Sequence, residues 1–346
     1  MPLVLVPLVG PFHLRFPRYD VVTVRETVAR ARPAALATTA LHDRSELDDP
    51  SWQDLEEPAL TMELVPWARR AGVAIEPCGV PSLDPEAAAS FDRIVGESEA
   101  GRAALASIEP TREALREILS GALDLAGVTG PLTEAVAAYQ EARRAAFGPG
   151  PGTDWIEERG EAMARRLVEV AERHAPASVA AAIPVDHLPR LRVHLADRGD
   201  LLVREPEPVP PSDEARARAL RDVALSGRYD DPGALLRGLR EQEGPEARWV
   251  EAEVLLRHGH PAEALDVLRD ASRGDFSHPP QLPGWLLARL GQLYDLDGRR
   301  DDALRAYRGA LALSWVPRAA REAARDGLER PFQPPDADGS DRDRAD

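Results

Sequence analysis

Residues 3–13 read LVLVPLVGPFH, an aliphatic run that stops at Gly10 and delivers His13 three residues later. An unbroken aliphatic run closed by Gly-Pro predicts a strand buried on both faces, the kind found inside parallel sheets. The residues just past such a strand lie at the carboxyl edge of the sheet, where open α/β folds place their ligands. His13 is therefore the first candidate for chemistry.

Working outward, Asp20 stands in an N-cap position and Val21, Val24, Val28 and Ala31 recur at helical spacing, with Pro33 as the stop. The run AALATTA at 34–40 is a second strand candidate. Strand, helix and strand with tight joints predict a βαβ unit with the two strands paired in parallel. An acidic loop from His42 to Glu57 comes next, and Pro58 opens a helix that ends at Arg69-Arg70-Ala71-Gly72, with Pro66 expected to divide it. Residues 73–76 make a brief third strand.

From Pro85 to about His174 the chain reads as nearly all helical, in segments 85–96, 110–126, 131–147 and 154–174. Helices without intervening strands predict an insertion or cap over the sheet edge. The run SVAAAI at 178–183 is another buried strand, succeeded by Pro184-Val185-Asp186-His187, a helix over 189–198 and a last strand at 201–203. Two strands thus end in a tight turn with a histidine just beyond, His13 and His187, and in a parallel sheet both face one edge. Two imidazoles at one edge suit a metal or an acid/base pair.

Composition narrows the partners. The formal net charge is -16, and all 43 basic residues are arginine. The acidic excess is spread along the chain, so there is no basic stripe for nucleic acid, and an acidic surface repels anionic lipid. No apolar stretch is long enough to span a membrane. Cys78 is the single cysteine, which excludes an intrachain disulfide and fits a reducing compartment. A cytoplasmic protein of bacterial type is expected.

Residues 3–203 resemble the superfamily that contains TraB/Tiki proteins, ChaN-like proteins and erythromycin-esterase-like enzymes. Four motifs in order carry the resemblance. They are Gly10-Pro11-Phe12-His13, the strand start Arg32-Pro33-Ala34-Ala35-Leu36, the late helix Arg159-Gly160-Glu161-Ala162-Met163-Ala164, and the turn ending at His187 with Leu188 and Leu191 beyond. The resemblance implies a compact α/β domain with its site at the carboxyl edge and metal-dependent or water-activating hydrolysis of peptide or ester bonds. His13 and His187 carry over as ligands of a divalent metal or as acid/base groups, and Arg159 as the residue that stabilises an oxyanion or holds a carboxylate. A ChaN-like member would use the same histidines to hold a cofactor such as haem. The chain departs from the pattern at Pro11, where esterase-like members have an acid, at Thr38-Thr39, where many members have Glu, and at Pro184. Asp186, Glu161 or Glu63 is expected to supply the missing acid, with Asp186 preferred because it adjoins His187.

The proline-rich EPEPVPPS at 205–212 predicts a semi-extended linker and a domain boundary. Beyond it, residues 284–317 resemble a tetratricopeptide repeat, with Leu290-Gly291, Tyr294, Ala303, Tyr307, Ala310 and Pro317 at the repeat's positions and Gly298 at its turn. An earlier copy runs from Pro245 with Gly259 as its turn, and a weaker one begins near Asp213 with Gly227. Such hairpins bury their apolar faces only by stacking. Trp249, Trp285 and Trp315 are expected in the core or between repeats.

The expected fold is an α/β domain over 1–204, with a mostly parallel sheet and a helical insertion at about 85–174. All-α tetratricopeptide-like hairpins come after it over 213–330, and a disordered tail over 331–346. The expected function is a hydrolase whose site residues are His13, His187, Asp186, Arg159 and Glu161, with a repeat array that binds a protein or peptide. The alternative is a catalytically degenerate scaffold or a ChaN-like carrier.

Overall fold

A computed structural model describes residues 1–80, 85–150, 153–196 and 198–333. The chain divides into two units, Met1–Asp222 and Val223–Asp346.

The first unit is built on five strands: β1 (Pro2–Leu8), β2 (Ala35–Thr38), β3 (Ala74–Pro77), β4 (Val179–Pro184) and β5 (Leu202–Arg204). All pairings are parallel, and the order is β3-β2-β4-β1-β5. The strand positions match the aliphatic runs in the sequence, but the pairing corrects the expected βαβ unit. β1 and β2 do not touch, because β4 lies between them, with Val4 opposite Ala180 and Leu36 opposite Ala180. β4 is mostly alanine and buried along its length, so two covering layers close over it at the centre of the sheet.

One face of the sheet, through Val4, Val6 and Leu8, packs against α1 (Val21–Arg30) and α2 (Val65–Ala71). The Asp20 side chain caps α1 by accepting the Thr23 N–H at 2.7 Å. Pro66 stands in the first turn of α2, and a π-helical turn, Ala59–Leu64, precedes it, so the expected helix comes in two pieces. The other face, through Leu3, Leu5 and Ile183, packs against α7 (Asp154–Arg173) and α8 (Leu188–Ala196). Helices on both faces make a three-layer α/β unit.

Between β3 and α7 run α3 (Pro85–Gly96), α4 (Glu99–Ser120), the short turn α5 (Leu125–Gly127), and α6 (Thr133–Phe147). Two expectations change here. Pro110 lies inside α4, which starts earlier because Ser98 caps it by accepting the Gly101 N–H at 2.9 Å. The insertion ends before α7, since Met163, Leu167 and Val170 of that helix cover the sheet.

The segment 205–222 belongs to the first unit, so the boundary falls after it and inside α9 (Asp213–Ser226). Glu207 and Glu214 pair with Arg30 and Arg25 of α1 at 2.9 and 2.7 Å, Ser212 donates to Glu26 at 2.6 Å, and Ala215 is buried in the core. Within the proline-rich stretch Glu207 ties it to α1 and Glu205 to Arg192 of α8, at 2.9 Å, which its composition alone does not announce.

The second unit is helical: α10 (Pro232–Arg240), α11 (Pro245–Arg257), α12 (Pro261–Ala271), α13 (Leu282–Leu296), α14 (Arg300–Leu311) and α15 (Arg318–Glu329). Successive helices pack on one another, and α13 also touches α15. Gly259 and Gly298 take positive φ at the turns expected for them. Tyr307 fills the space left by Gly291 and Gly327, where an added Cβ would collide with its ring. Its hydroxyl donates to Asp295 at 2.9 Å, and Arg300 donates to the same buried carboxylate. Trp249 and Trp285 lie 6.2 Å apart between centroids and are partly buried. The Phe332 N–H also donates to Asp295, at 2.9 Å, which ties down the start of the expected tail; residues 334–346 lie outside the described residues.

Candidate active site at the switch point of the sheet

The strand order sets where a ligand belongs. From β1 the chain passes through α1 to β2 on one side, and from the adjacent β4 it passes through α8 to β5 on the other. Neighbouring strands whose connections leave in opposite directions open a crevice at their carboxyl ends. The turns after β1 and β4 both lie there, and Val185 N–H donates to Leu8 O at 2.8 Å to hold them together.

The β1 turn carries His13, which the structure assigns to support. The Val9 N–H donates to His13 Nε2 at 3.0 Å, so that nitrogen is the acceptor and Nδ1 carries the proton, which it donates to Tyr19 O at 2.9 Å. The ring is fully buried against Tyr19, whose hydroxyl donates to Pro7 O at 2.8 Å. Burial lowers its pKa to about 4, against a smaller raising effect of the Tyr19 carbonyl. Both nitrogens are spent on backbone, so His13 is neither a metal ligand nor an acid/base group in this arrangement. The two-histidine site for a divalent metal or haem therefore does not fit these residues. Among the described residues, no group of three or more His, Cys, Asp or Glu side chains converges in a way that could hold a metal ion.

The β4 turn carries Asp186 and His187. His187 N–H donates to Pro184 O at 2.9 Å, which tightens the turn before α8. The His187 ring is buried and Asp186 is exposed, with 3.8 Å between Nε2 and Oδ2. Burial lowers the His187 pKa, the Asp186 charge raises it, and Arg159 lowers it. From α6, Gln140 Nε2 donates to the Asp186 carbonyl at 2.5 Å, so the insertion fixes the backbone of this turn.

A further carboxyl, Glu57, stands in the field of the Asp186 charge. Its carbonyl accepts Leu60 and Thr61 N–H groups at 2.9 and 3.0 Å, and Pro58 comes directly after it, which anchors it at a helix entry. Its pKa is pushed up to about 8 by burial and then by the Asp186 charge, while the Gly10 N–H donates to the carboxylate and opposes the rise. Gly10 has φ +56°, a conformation that costs a side-chain-bearing residue about 1–2 kcal/mol. The β1 turn thus delivers a backbone donor, rather than a histidine, to the site.

Arg159 on α7 completes the cluster. It feels burial, which lowers its pKa, and the Asp186 charge, which raises it. The close approach of α8 at this level depends on Gly160, where a Cβ would come within 2.9 Å of Arg190 Cβ. Two expected acids stand elsewhere. Glu161 is exposed on α7, and Glu63 is 3.2 Å from Arg25.

Glu57 escapes a reading of the sequence because it ends an acidic stretch with Asp48, Asp49, Asp54 and Glu56. Its position just before the helix-opening Pro58 is the one local sign. Comparison of the chain with protein-family models, with curated proteins and with solved structures finds no match in any of the three.

Proposed function

We propose that the first unit is an acid/base hydrolase of an ester or related acyl bond, with Glu57 as general acid and His187, under the charge of Asp186, as general base. The observation that carries this reading is the Glu57 carboxyl, whose Oε2 is closed off from solvent without a hydrogen-bond partner, and whose pKa burial and the Asp186 charge push up to about 8. A carboxyl that keeps its proton and an imidazole that stays neutral, both under the charge of Asp186, make the division of roles that acid/base catalysis needs near pH 7. In the proposed step His187 takes a proton from water as its oxygen attacks the acyl carbon. Glu57 gives its proton to the departing oxygen or nitrogen. The ends of the reaction are a carboxylic acid and an alcohol or amine. Gly10 N–H holds Glu57 in place through the step.

The test is hydrolysis of a panel of nitrophenyl esters and peptides by the purified full chain and its Glu57→Gln and His187→Ala variants. Wild-type turnover that falls by about 10²–10⁴-fold in each variant is expected. Turnover unchanged in both, or absent from the wild type across the panel, removes the reading.

For the second unit we infer a tetratricopeptide-like array that binds a protein segment. The packing of Tyr307 between Gly291 and Gly327 supports it, since small-residue contacts of this kind let repeat helices cross closely. Co-purification with tagged full-length protein, competed by the isolated partner peptide, tests the inference; a chain that retains nothing specific counts against it.

A further inference from the structure

We propose that Arg159 receives a carboxylate on the substrate, so that the site takes acyl compounds bearing a free carboxylate near the scissile bond. The proposal rests on the hydrolytic reading and names its substrate class. Arg159 lies over Trp155, one helical turn earlier, with 5.7 Å between the guanidinium carbon and the ring centroid. Its Nε is closed off from solvent and has no acceptor. The half-buried arginines on the surrounding helices are all engaged. Arg143 donates to Asp92 at 2.8 Å, Arg166 to the Gly79 carbonyl, Arg192 to Glu205 at 2.9 Å, and Arg190 lies 3.3 Å from Glu157. Among the described residues, Arg159 has no such acceptor, and the charge it feels is that of Asp186.

A guanidinium that has lost part of its hydration without gaining an acceptor is destabilising, and an anion beside it offsets that cost. The guanidinium presents its donors as a planar fork, which favours a planar bidentate partner. A carboxylate fits better than a phosphate, because Asp186 already places one negative charge in the crevice and a dianion would meet it. The chain's net charge of -16 gathers no anions from a distance, so this recognition has to be local.

The test uses benzoate as the probe and benzamide as its neutral counterpart, titrated into the wild-type full chain and followed by calorimetry and by the Arg159 Nε–H resonance. Benzoate is expected to bind at least about tenfold more tightly than benzamide, with movement of that resonance. Arg159→Gln should abolish the preference and Arg159→Lys should keep part of it, with circular dichroism confirming that both fold. Equal binding of the two probes, no binding of benzoate, or a preference that survives in Arg159→Gln overturns the proposal. A second arm compares a nitrophenyl ester carrying a free carboxylate with its methyl-capped form. A rise in KM in Arg159→Gln for the carboxylate ester alone supports the assignment. Hydrolysis of both esters alike in wild type and variant sinks the carboxylate assignment while the hydrolytic reading stands. A benzoate preference without any hydrolysis leaves a carboxylate site and removes the hydrolase.

Discussion

The Val9 N–H donates to Nε2 of His13 at 3.0 Å, four residues along, inside the turn that closes the first strand. That bond, with the one from Nδ1 to Tyr19 O, makes His13 the internal brace of the turn that presents the Gly10 N–H to Glu57. Replacing His13 by Ala leaves a buried N–H and a buried carbonyl without partners and opens a cavity. A loss of about 2–4 kcal/mol in urea unfolding is expected. A change below about 0.5 kcal/mol would show that the imidazole is not a brace.

The same residue sets an acid limit. Its folded pKa of about 4 lies below the ordinary 6.5, so the folded state resists protonation. The stability this contributes is fully present above pH 6.5 and is lost as pH falls through 4, by about 3 kcal/mol in all. Urea midpoints measured from pH 7 to 4 should fall steeply in wild type, and the His13-specific part of that fall should vanish in His13→Phe.

Glu57 works in the opposite sense. Its folded pKa of about 8 exceeds the ordinary 4.5, so the folded state favours the proton. The contribution is complete below pH 4.5 and is lost as pH rises through 8. Glu57→Gln keeps the neutral shape, and its stability should therefore decline less than that of wild type between pH 6 and 9. Parallel curves for the two proteins across that range would count against a protonated Glu57.

Gly10→Ala isolates the backbone donor. An added Cβ meets only the Glu56 carbonyl, at an ordinary 3.5 Å, so the cost is the positive φ alone, about 1–2 kcal/mol. Relaxation of the turn should also withdraw the N–H from Glu57 and raise its pKa further. Thermal melts give the first quantity and carbon NMR of the carboxyl the second.

In the second unit, Gly291→Ala forces a methyl into the Tyr307 ring. The overpacking should cost about 1–3 kcal/mol, while Tyr307→Phe, which only strips a donor from the buried Asp295, should cost about 1–2 kcal/mol. A Gly291→Ala protein as stable as wild type would show that the helices have room to part.

The strands were legible because burial on both faces leaves unbroken aliphatic runs, as at 3–9 and 178–183. Their order was not, since nothing local in SVAAAI says that it inserts between β1 and β2. The switch-point edge and the Asp186-His187 turn could be reached from periodicity and turn residues. The fate of His13 could not, because its two partners are backbone groups that every residue possesses. Glu57 was hidden for the converse reason: it differs from its acidic neighbours in having a carboxyl oxygen closed off from solvent, and that is settled by packing far along the chain. The anchoring of Phe332 is hidden in the same way, because its backbone N–H meets a carboxylate on α13.

The central claim is that Glu57 holds its proton at neutral pH in the field of Asp186, and a carbon-detected NMR titration of the Glu57 carboxyl in the full chain reads it directly. The account predicts a midpoint near 8 that moves down when Asp186 is replaced by Asn. A midpoint near the ordinary 4.5, indifferent to Asp186, would contradict it.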